Sequence, residues 1–158
     1  PELRAGTTFY FGVNHPGALL AIGDGHCRQG EGEVIGTAVE SAMNTVIVVD
    51  LIKGNYTAWP RIESDKAIMS TGSTRPLEDA YRISQHDLVT WVAADSKLDT
   101  LDALQLISQI GTAPVGNVVD PNYTFVSMVE KKYLPNQSVY GGMHAKLAEI
   151  GRIYKSGK

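Results

Sequence analysis

The sequence has 158 residues, of which 43% are hydrophobic and 20% are charged, and its formal net charge is -3. A chain of this length buries roughly two-thirds of its unfolded surface as one domain, and its net negative charge argues against the basic surfaces that bind nucleic acid. No apolar run reaches the roughly 18 residues of a membrane span, so we expect no membrane partner. The single cysteine, Cys27, cannot form a disulfide within the chain, which is typical of a cytoplasmic protein.

The first half of the chain is predicted to be mostly β. Runs of β-branched and aromatic residues alternate with turn-forming residues, and the dipeptide Gly54-Asn55 is typical of a hairpin. The predicted strands cover residues 7–13, 18–22, 33–39, 45–53, 56–62 and 66–69. The run 46–52 is apolar on both faces, so we expect it at the buried centre of the molecule or in a subunit contact.

The second half has helical periodicity. Apolar side chains recur every three or four residues after Pro76, which predicts a helix to about residue 94. A second helix is predicted from a cap at Thr100 to a stop at Gly111. The rest of the chain is predicted as a loop over 114–121, a strand over 123–130 and a terminal helix marked by Met143, Leu147, Ile150 and Tyr154.

This order of elements predicts the fold class. Strands grouped first and helices later favour an α+β fold over a parallel βαβ wrap. We therefore expect a single domain over residues 1–158, with a mostly antiparallel, β-sandwich-like first half and two to three helices in the second half.

Residues 22–34, with the sequence IGDGHCRQGEGEV, combine acidic and imidazole side chains with several glycines. If this stretch begins as a strand, Asp24 and His26 project from the same face, because side chains alternate with period two. Carboxylate oxygen and imidazole nitrogen are ligands of zinc and similar divalent ions, so the pair is a candidate metal site. The alternative is a solvated hairpin with no ligand.

Two further carboxylates follow the candidate metal ligands at the same spacing. Glu31 or Glu33 could act as a general base near an activated water molecule, and the surrounding glycines predict a loop that folds them over the site. Cys27 points to the opposite strand face from His26, so we do not expect a nucleophilic cysteine.

The residues 17–41, GALLAIGDGHCRQGEGEVIGTAVES, resemble the most characteristic stretch of the acetamidase/formamidase family. The matching positions are Asp24, His26, Gln29, Gly30, Gly32 and Glu33. The segments FYFGV, PLEDAYRISQHDLVTWV and VVDPNYTF also resemble family segments in the same order, so the resemblance covers about residues 5–134. The chain departs from the family pattern at Cys27, Arg28 and Glu31.

The resemblance implies hydrolysis of a short linear amide, such as formamide or acetamide, to a carboxylate and ammonia. It implies a divalent metal, zinc by preference, held by Asp24 and His26. Glu33 or Glu31 would carry the proton, and Gln29 would donate to the substrate oxygen. Family members are about twice as long and oligomeric. We therefore expect this chain to be a C-terminal half, completed by an N-terminal half on a separate chain or a missing segment, within a homo-oligomer.

Several other residues have an open role. His15 could join the site from a turn, and Asp120 either opens a turn or contributes to the site. His86 and His144 are predicted to be solvated on helix surfaces, and Trp59 and Trp91 to lie in the core or an interface. Two alternative functions remain: a cupin-like metal-binding β module, which His26 fits poorly without a second histidine nearby, and a non-catalytic interaction domain.

Overall fold

The computed structural model describes residues 1–157 as an α+β fold, as predicted from the order of elements. The strands are β1 Thr8–Tyr10, β2 His26–Arg28, β3 Val39–Glu40, β4 Arg61–Glu63, β5 Ala67–Thr74, β6 Val115–Asn117 and β7 Tyr123–Glu130. The helices are α1 Leu77–Ser96, α2 Thr100–Ile110 and α3 Met143–Lys155, with short 3-10 turns at Glu31–Glu33, Lys131–Tyr133 and Val139–Gly142. Among the described helices, none has the length and apolar character needed to cross a membrane.

The main sheet has five antiparallel strands in the order β1-β4-β5-β7-β6. Helices α1 and α2 cover one face, where Ile68 packs with Leu88, Val92 and Val129 in the larger core cluster. Helix α1 approaches β5 closely at Gly72, because a Cβ atom there would lie 2.2 Å from the carbonyl oxygen of Ala80. Only glycine fits at this crossing without a backbone shift.

The opposite face of the sheet carries a smaller apolar cluster. Its buried residues are Ile62, Ala67, Met69 and Val126, with Phe9 and Met128 packed against them. Because side chains alternate along each strand, this second face presents a separate set of residues from the one that packs on the helices. The candidate site borders this second face.

A buried charged group lies at the edge of the helix-covered face. The Glu63 side chain is 2% exposed and accepts hydrogen bonds from Lys131 Nζ at 2.6 Å and Tyr10 Oη at 2.5 Å. Burial, and then the contact with this carboxylate, raises the pKa of the Tyr10 hydroxyl far above its usual range. Glu63 is therefore held inside the protein as a paired charge with a hydrogen bond to each carboxylate oxygen.

Residues 11–56, here called the exposed segment, form little regular structure. Within them only Gly32 is buried, and the predicted strands at 18–22, 33–39 and 45–53 are wrong except for the start of β3 at Val39. A strand is stable only where its backbone groups find a partner, and these runs pair with nothing in the described chain. The prediction of a buried centre at 46–52 is also wrong, since Val46 is 64% exposed.

Most of the other predicted elements agree with the structure, but the strand predicted over 56–62 is wrong up to residue 60, because β4 begins at Arg61. The hairpin predicted at Gly54-Asn55 is also wrong, because β4 pairs with β1 and β5 and not with the run at 45–53. Helices α1, α2 and α3 and strand β7 form where periodicity placed them, although the cap of α2 is Asp99, whose side chain accepts from the Leu101 N–H. The predicted loop at 114–121 is partly wrong because β6 forms there as an edge strand. Trp91 is 4% exposed, as expected for a core residue.

The prediction of a solvated His144 is wrong. His144 is buried at the start of α3, where Nδ1 lies 2.8 Å from Thr8 Oγ1 and Nε2 lies 3.0 Å from Asp65 Oδ1. The helical pattern was correct, but the first turn of α3 faces β1, and sequence periodicity does not define that packing. His86 is exposed, as predicted.

Candidate active site

The candidate site is built around His26, the first residue of β2. Strand β2 pairs with β3 so that His26 lies opposite Glu40. Asp24 precedes the strand with a φ of 58°, in the left-handed region, so the stretch is not extended as we predicted. The turn nevertheless brings Asp24 beside His26, which is the proximity that the sequence pattern indicated.

Three carboxylates surround one nitrogen of the His26 ring. Nε2 lies 3.0 Å from Asp24 Oδ1, 3.1 Å from Glu40 Oε1 and 3.7 Å from Glu33 Oε1. The His26 and Glu33 side chains are each 10% exposed, whereas Asp24 is 78% and Glu40 is 54% exposed. His26 and Glu33 are therefore largely enclosed by the protein, whereas Asp24 and Glu40 are open to solvent.

Gln29 fixes the protonation pattern of the ring. Its amide nitrogen donates to the backbone oxygen of Gly116 at 2.8 Å, so its Oε1 must face His26 Nδ1, at 3.0 Å. Because Oε1 can only accept, the proton of the ring lies on Nδ1 and Nε2 is the nitrogen that faces the carboxylates. The hydrogen bond to Gln29, and next the nearby charges of Glu40, Asp24 and Glu33, raise the pKa of His26.

This arrangement calls for a positive charge beside Nε2. A neutral ring presents a lone pair there toward three negatively charged groups, which is favourable only when a proton or a metal ion lies between them. One ligand atom each from Asp24, His26 and Glu40 lies within 4.8 Å of the others. Ligand atoms of a tetrahedral zinc ion lie about 3.3 Å apart, so a small movement of the exposed Asp24 and Glu40 side chains would allow these three residues to hold a divalent ion.

Sequence reasoning missed Glu40, because the distance along the chain gives no hint that it meets His26. The signal that could have found it is the hairpin between the two halves of the glycine-rich stretch, which sets Glu40 opposite His26 in antiparallel register. Sequence reasoning also gave Gln29 only a substrate-binding role, whereas its amide contacts His26 and Gly116.

The loop that carries the other two carboxylates is held by β6. The N–H of Val115 donates to Glu31 Oε2 at 2.7 Å, and the N–H of Val118 donates to the carbonyl oxygen of Gly32 at 2.9 Å. Gly32 has a φ of +79°, and a Cβ atom there would lie 2.9 Å from Val118 Cγ2. The Glu31 carboxylate is thus engaged by the backbone of β6, while Glu33 faces His26.

A cavity of about 250 Å³ lies between this loop and the second face of the sheet. Its lining includes the polar side chains of Asp24, Gln29, Glu33, Asn117 and Asp120 and the apolar side chains of Phe9, Ile62 and Val126. The cavity has room for a small molecule with one polar end and a short apolar part.

The remaining sequence candidates lie in different places. Cys27 is exposed on β2, and His15 is exposed and does not line the cavity. Of the two roles considered for Asp120, the structure supports the contribution to the site, because the turn here is opened by Asn117. It closes a turn with Asn117, whose Oδ1 accepts from the Asp120 N–H at 2.9 Å, and it lines the cavity.

Comparison with known proteins shows similarity in both sequence and fold. The model of the family described as "Acetamidase/Formamidase family" matches residues 1–124. A crystal structure of acetamidase from Yersinia enterocolitica is 50% identical over 80% of this chain, with a TM-score of 0.79. A predicted acetamidase/formamidase from Thermoanaerobacter tengcongensis is 32% identical over 80% of the chain, with a TM-score of 0.76.

A third solved structure, an acetamidase from Bacillus halodurans, is 26% identical over 81% of the chain, with a TM-score of 0.66. The chain spans 38%, 42% and 43% of the lengths of these three structures, in the order given. No curated protein matches the sequence significantly. Residues 1–124 contain every residue of the His26 cluster together with Asn117 and Asp120.

Proposed function

This chain belongs to the acetamidase/formamidase family, and we propose on that basis that it supplies an active site for hydrolysis of a short linear amide to a carboxylate and ammonia. The observation that carries the proposal is that Asp24 and Glu33, whose carboxylates both lie beside His26 Nε2, line one small cavity within the segment that the family model matches. Formamide and acetamide are the substrates of choice for a first test.

Amide hydrolysis requires one proton to move from water to nitrogen. The oxygen of water forms a bond to the carbonyl carbon, the carbon–nitrogen bond breaks, and the nitrogen leaves as ammonia with the proton that water gave up. We assign this transfer to Glu33, because its Oε1 lies 3.7 Å from His26 Nε2 and its side chain lines the cavity. Glu31 is the second candidate, but its Oε2 already accepts from the Val115 N–H.

We propose that Asp24 and His26 hold a divalent metal ion, zinc by preference, and that Glu40 is the third ligand. Such an ion lowers the pKa of water and polarises the amide carbonyl. Gln29 holds the His26 ring with Nε2 toward these carboxylates. Gln29 lines the cavity and its amide nitrogen, which carries two hydrogens, donates to the Gly116 oxygen, so we retain its second hydrogen as a candidate donor to the substrate oxygen.

We propose that the active enzyme contains a further segment, on the same polypeptide or on another, that covers the exposed segment. Two observations support this. The chain spans less than half the length of its solved relatives, and residues 11–56 expose apolar side chains such as Leu19, Ile35 and Val49, which are 77%, 81% and 73% exposed. A protein that exposes so many apolar groups in one region normally binds a partner there.

The chain together with that further segment is called the completed enzyme below. Because the cluster is open beside Asp24 and Glu40, the completing segment would close the cavity and separate the reacting water molecule from bulk solvent. We further propose a cytoplasmic homo-oligomer, consistent with the single cysteine and the extent of the apolar surface.

Ammonia release tests the function directly. The completed enzyme should release ammonia from formamide or acetamide, and this chain by itself should release far less. Absence of ammonia from the completed enzyme, with either amide, would contradict the proposal and favour a non-catalytic interaction domain.

Association with the completing segment is tested by two matched substitutions. When the two parts are produced as separate polypeptides, Ile35→Asp in the exposed segment should weaken their co-purification. Leu101→Asp, at a leucine that is 73% exposed on α2, should leave co-purification unchanged. Equal co-purification of both variants would contradict the assignment of residues 11–56 as the docking surface.

A further inference from the structure

Asn117, the last residue of β6, joins two carboxylates that line the cavity. Its Nδ2 donates to Glu33 Oε2 at 3.1 Å and to Asp120 Oδ2 at 2.8 Å. An amide nitrogen carries two hydrogens, so both are used. The two acidic groups are thereby held beside each other by one neutral donor.

The other end of the same amide is equally constrained. Asn117 Oδ1 accepts from the N–H of Val119 at 3.0 Å and from the N–H of Asp120 at 2.9 Å. Because backbone N–H groups only donate, the oxygen of the amide must face them and the nitrogen must face Glu33. The amide therefore has a single orientation in the folded protein.

Glu33 depends on such an anchor for its own orientation. Its backbone has a φ of 48°, and its Oε1 lies 3.7 Å from His26 Nε2, in a region that also contains the carboxylates of Asp24 and Glu40. Repulsion from those groups acts to turn the Glu33 side chain away. The bond from Asn117 to the second oxygen opposes that rotation.

We propose that Asn117 is a positioning residue for amide hydrolysis, which holds Glu33 with Oε1 directed at His26 and the cavity. The inference rests on the proposed function, in which Glu33 moves the proton. A misdirected Glu33 slows the chemical step while the cavity still binds the amide, so the loss is expected in kcat and not in KM.

The isosteric substitution Asn117→Asp separates this role from the turn. Asp keeps an oxygen for the Val119 and Asp120 N–H groups, and it replaces the donor toward Glu33 by a second oxygen. We expect Asn117→Asp in the completed enzyme to lower kcat at least about tenfold, with KM within about twofold and metal content unchanged. The matched control is Asn136→Asp, since Asn136 also donates to a carboxylate, that of Asp95, and accepts from the Ser138 N–H.

A kcat for Asn117→Asp within about twofold of the parent enzyme overturns the proposal. Loss of metal in proportion to the loss of kcat also overturns it, because Asn117 would then act on the ligands. A double-mutant cycle keeps the test decisive if folding is affected. In the Glu33→Gln variant, the added substitution Asn117→Ala should leave the residual kcat almost unchanged. A general structural defect would instead lower kcat by the same factor in the parent enzyme and in the Glu33→Gln variant.

Comparing Glu33→Gln with Asn117→Asp distinguishes a failure of the Asn117 proposal from a failure of the proposed function. If Glu33→Gln abolishes turnover and Asn117→Asp does not change it, only the role of Asn117 is wrong. If Glu33→Gln retains full turnover, the assignment of the proton transfer to Glu33 is wrong, and the positioning role falls with it.

Discussion

Oε1 of Gln29 lies 3.0 Å from Nδ1 of His26, and the other end of the same amide donates to the carbonyl oxygen of Gly116. This pair of contacts connects the glycine-rich loop to β6, at the far edge of the main sheet. The ring orientation of His26 is therefore set by a strand that is about ninety positions away in the sequence, since Gln29 and Gly116 are separated by 87 residues. In the metal site that we propose, Gln29 would therefore influence metal affinity through the orientation of His26, without contacting the ion.

Removing the Gln29 amide should weaken metal binding. We expect Gln29→Ala to lower the affinity of the completed enzyme for zinc by about 10- to 100-fold, because the ring loses the acceptor that fixes Nδ1–H. Competition with a chromophoric chelator measures the change. Gln105→Ala, at an exposed position of α2, is the control and should bind zinc as the parent enzyme does. Unchanged affinity in Gln29→Ala would show that the hydrogen bond has no role at the site.

Glu33 and Glu31 should differ strongly in their effect on turnover. Glu33→Gln removes the group assigned to proton transfer, and we expect kcat to fall by about 10²- to 10⁴-fold. Glu31→Gln retains an oxygen that can accept from the Val115 N–H, so its kcat should stay within a few fold of the parent value. Initial rates of ammonia release measure both. A larger loss of kcat in Glu31→Gln than in Glu33→Gln would assign the proton transfer to Glu31 instead.

Local sequence patterns predicted the elements whose formation depends on their own periodicity. The helical spacing after Pro76 and the alternation in residues 123–130 correspond to α1 and β7. The same reasoning failed in the exposed segment, where the run 45–53 has high β-propensity but no strand beside it in the described chain. Strand formation depends on a partner that the segment itself does not encode.

The candidate site, like the fold, was predictable from the sequence only in part. The pattern Asp24-x-His26 indicated a pair of groups that could meet, and the structure brings them together. Glu40 and Asn117 could not be found in this way, because each reaches the cluster through pairing with a distant segment: β3 with β2, and β6 with the loop at Glu31–Glu33. Their contribution is a property of the fold and not of the motif.

Removing one partner of the buried pair of Lys131 and Glu63 should destabilise the protein strongly. Lys131→Met leaves the Glu63 charge without its ionic partner at a position that is 2% exposed, and we expect the free energy of unfolding to fall by about 3–5 kcal/mol. The double variant Glu63→Gln/Lys131→Met should recover part of this loss, because no buried charge remains. Urea denaturation gives the values. Lys132→Met, which breaks an exposed pair with Glu130, should leave stability nearly unchanged.

Asp95 should make stability depend on pH. Burial raises the pKa of its carboxyl, with a smaller contribution from the charge of Glu63 and a partial offset by the Asn136 hydrogen bond. The folded state therefore favours the protonated form, so the cost of ionising Asp95 is absent below its unfolded pKa and complete above its raised folded pKa. We expect Asp95→Asn to raise the melting temperature more at pH 7 than at pH 3.5. An equal shift at both values would contradict the burial effect.

The most direct test of the account is metal content in single-site variants of the completed enzyme. Asp24→Asn and His26→Ala, measured by elemental analysis beside ammonia release, should each lose most of the bound divalent metal and most of the turnover. His15→Ala, at an exposed histidine outside the cavity, should keep both. Full metal occupancy in both Asp24→Asn and His26→Ala would contradict the proposal that these two side chains hold the ion.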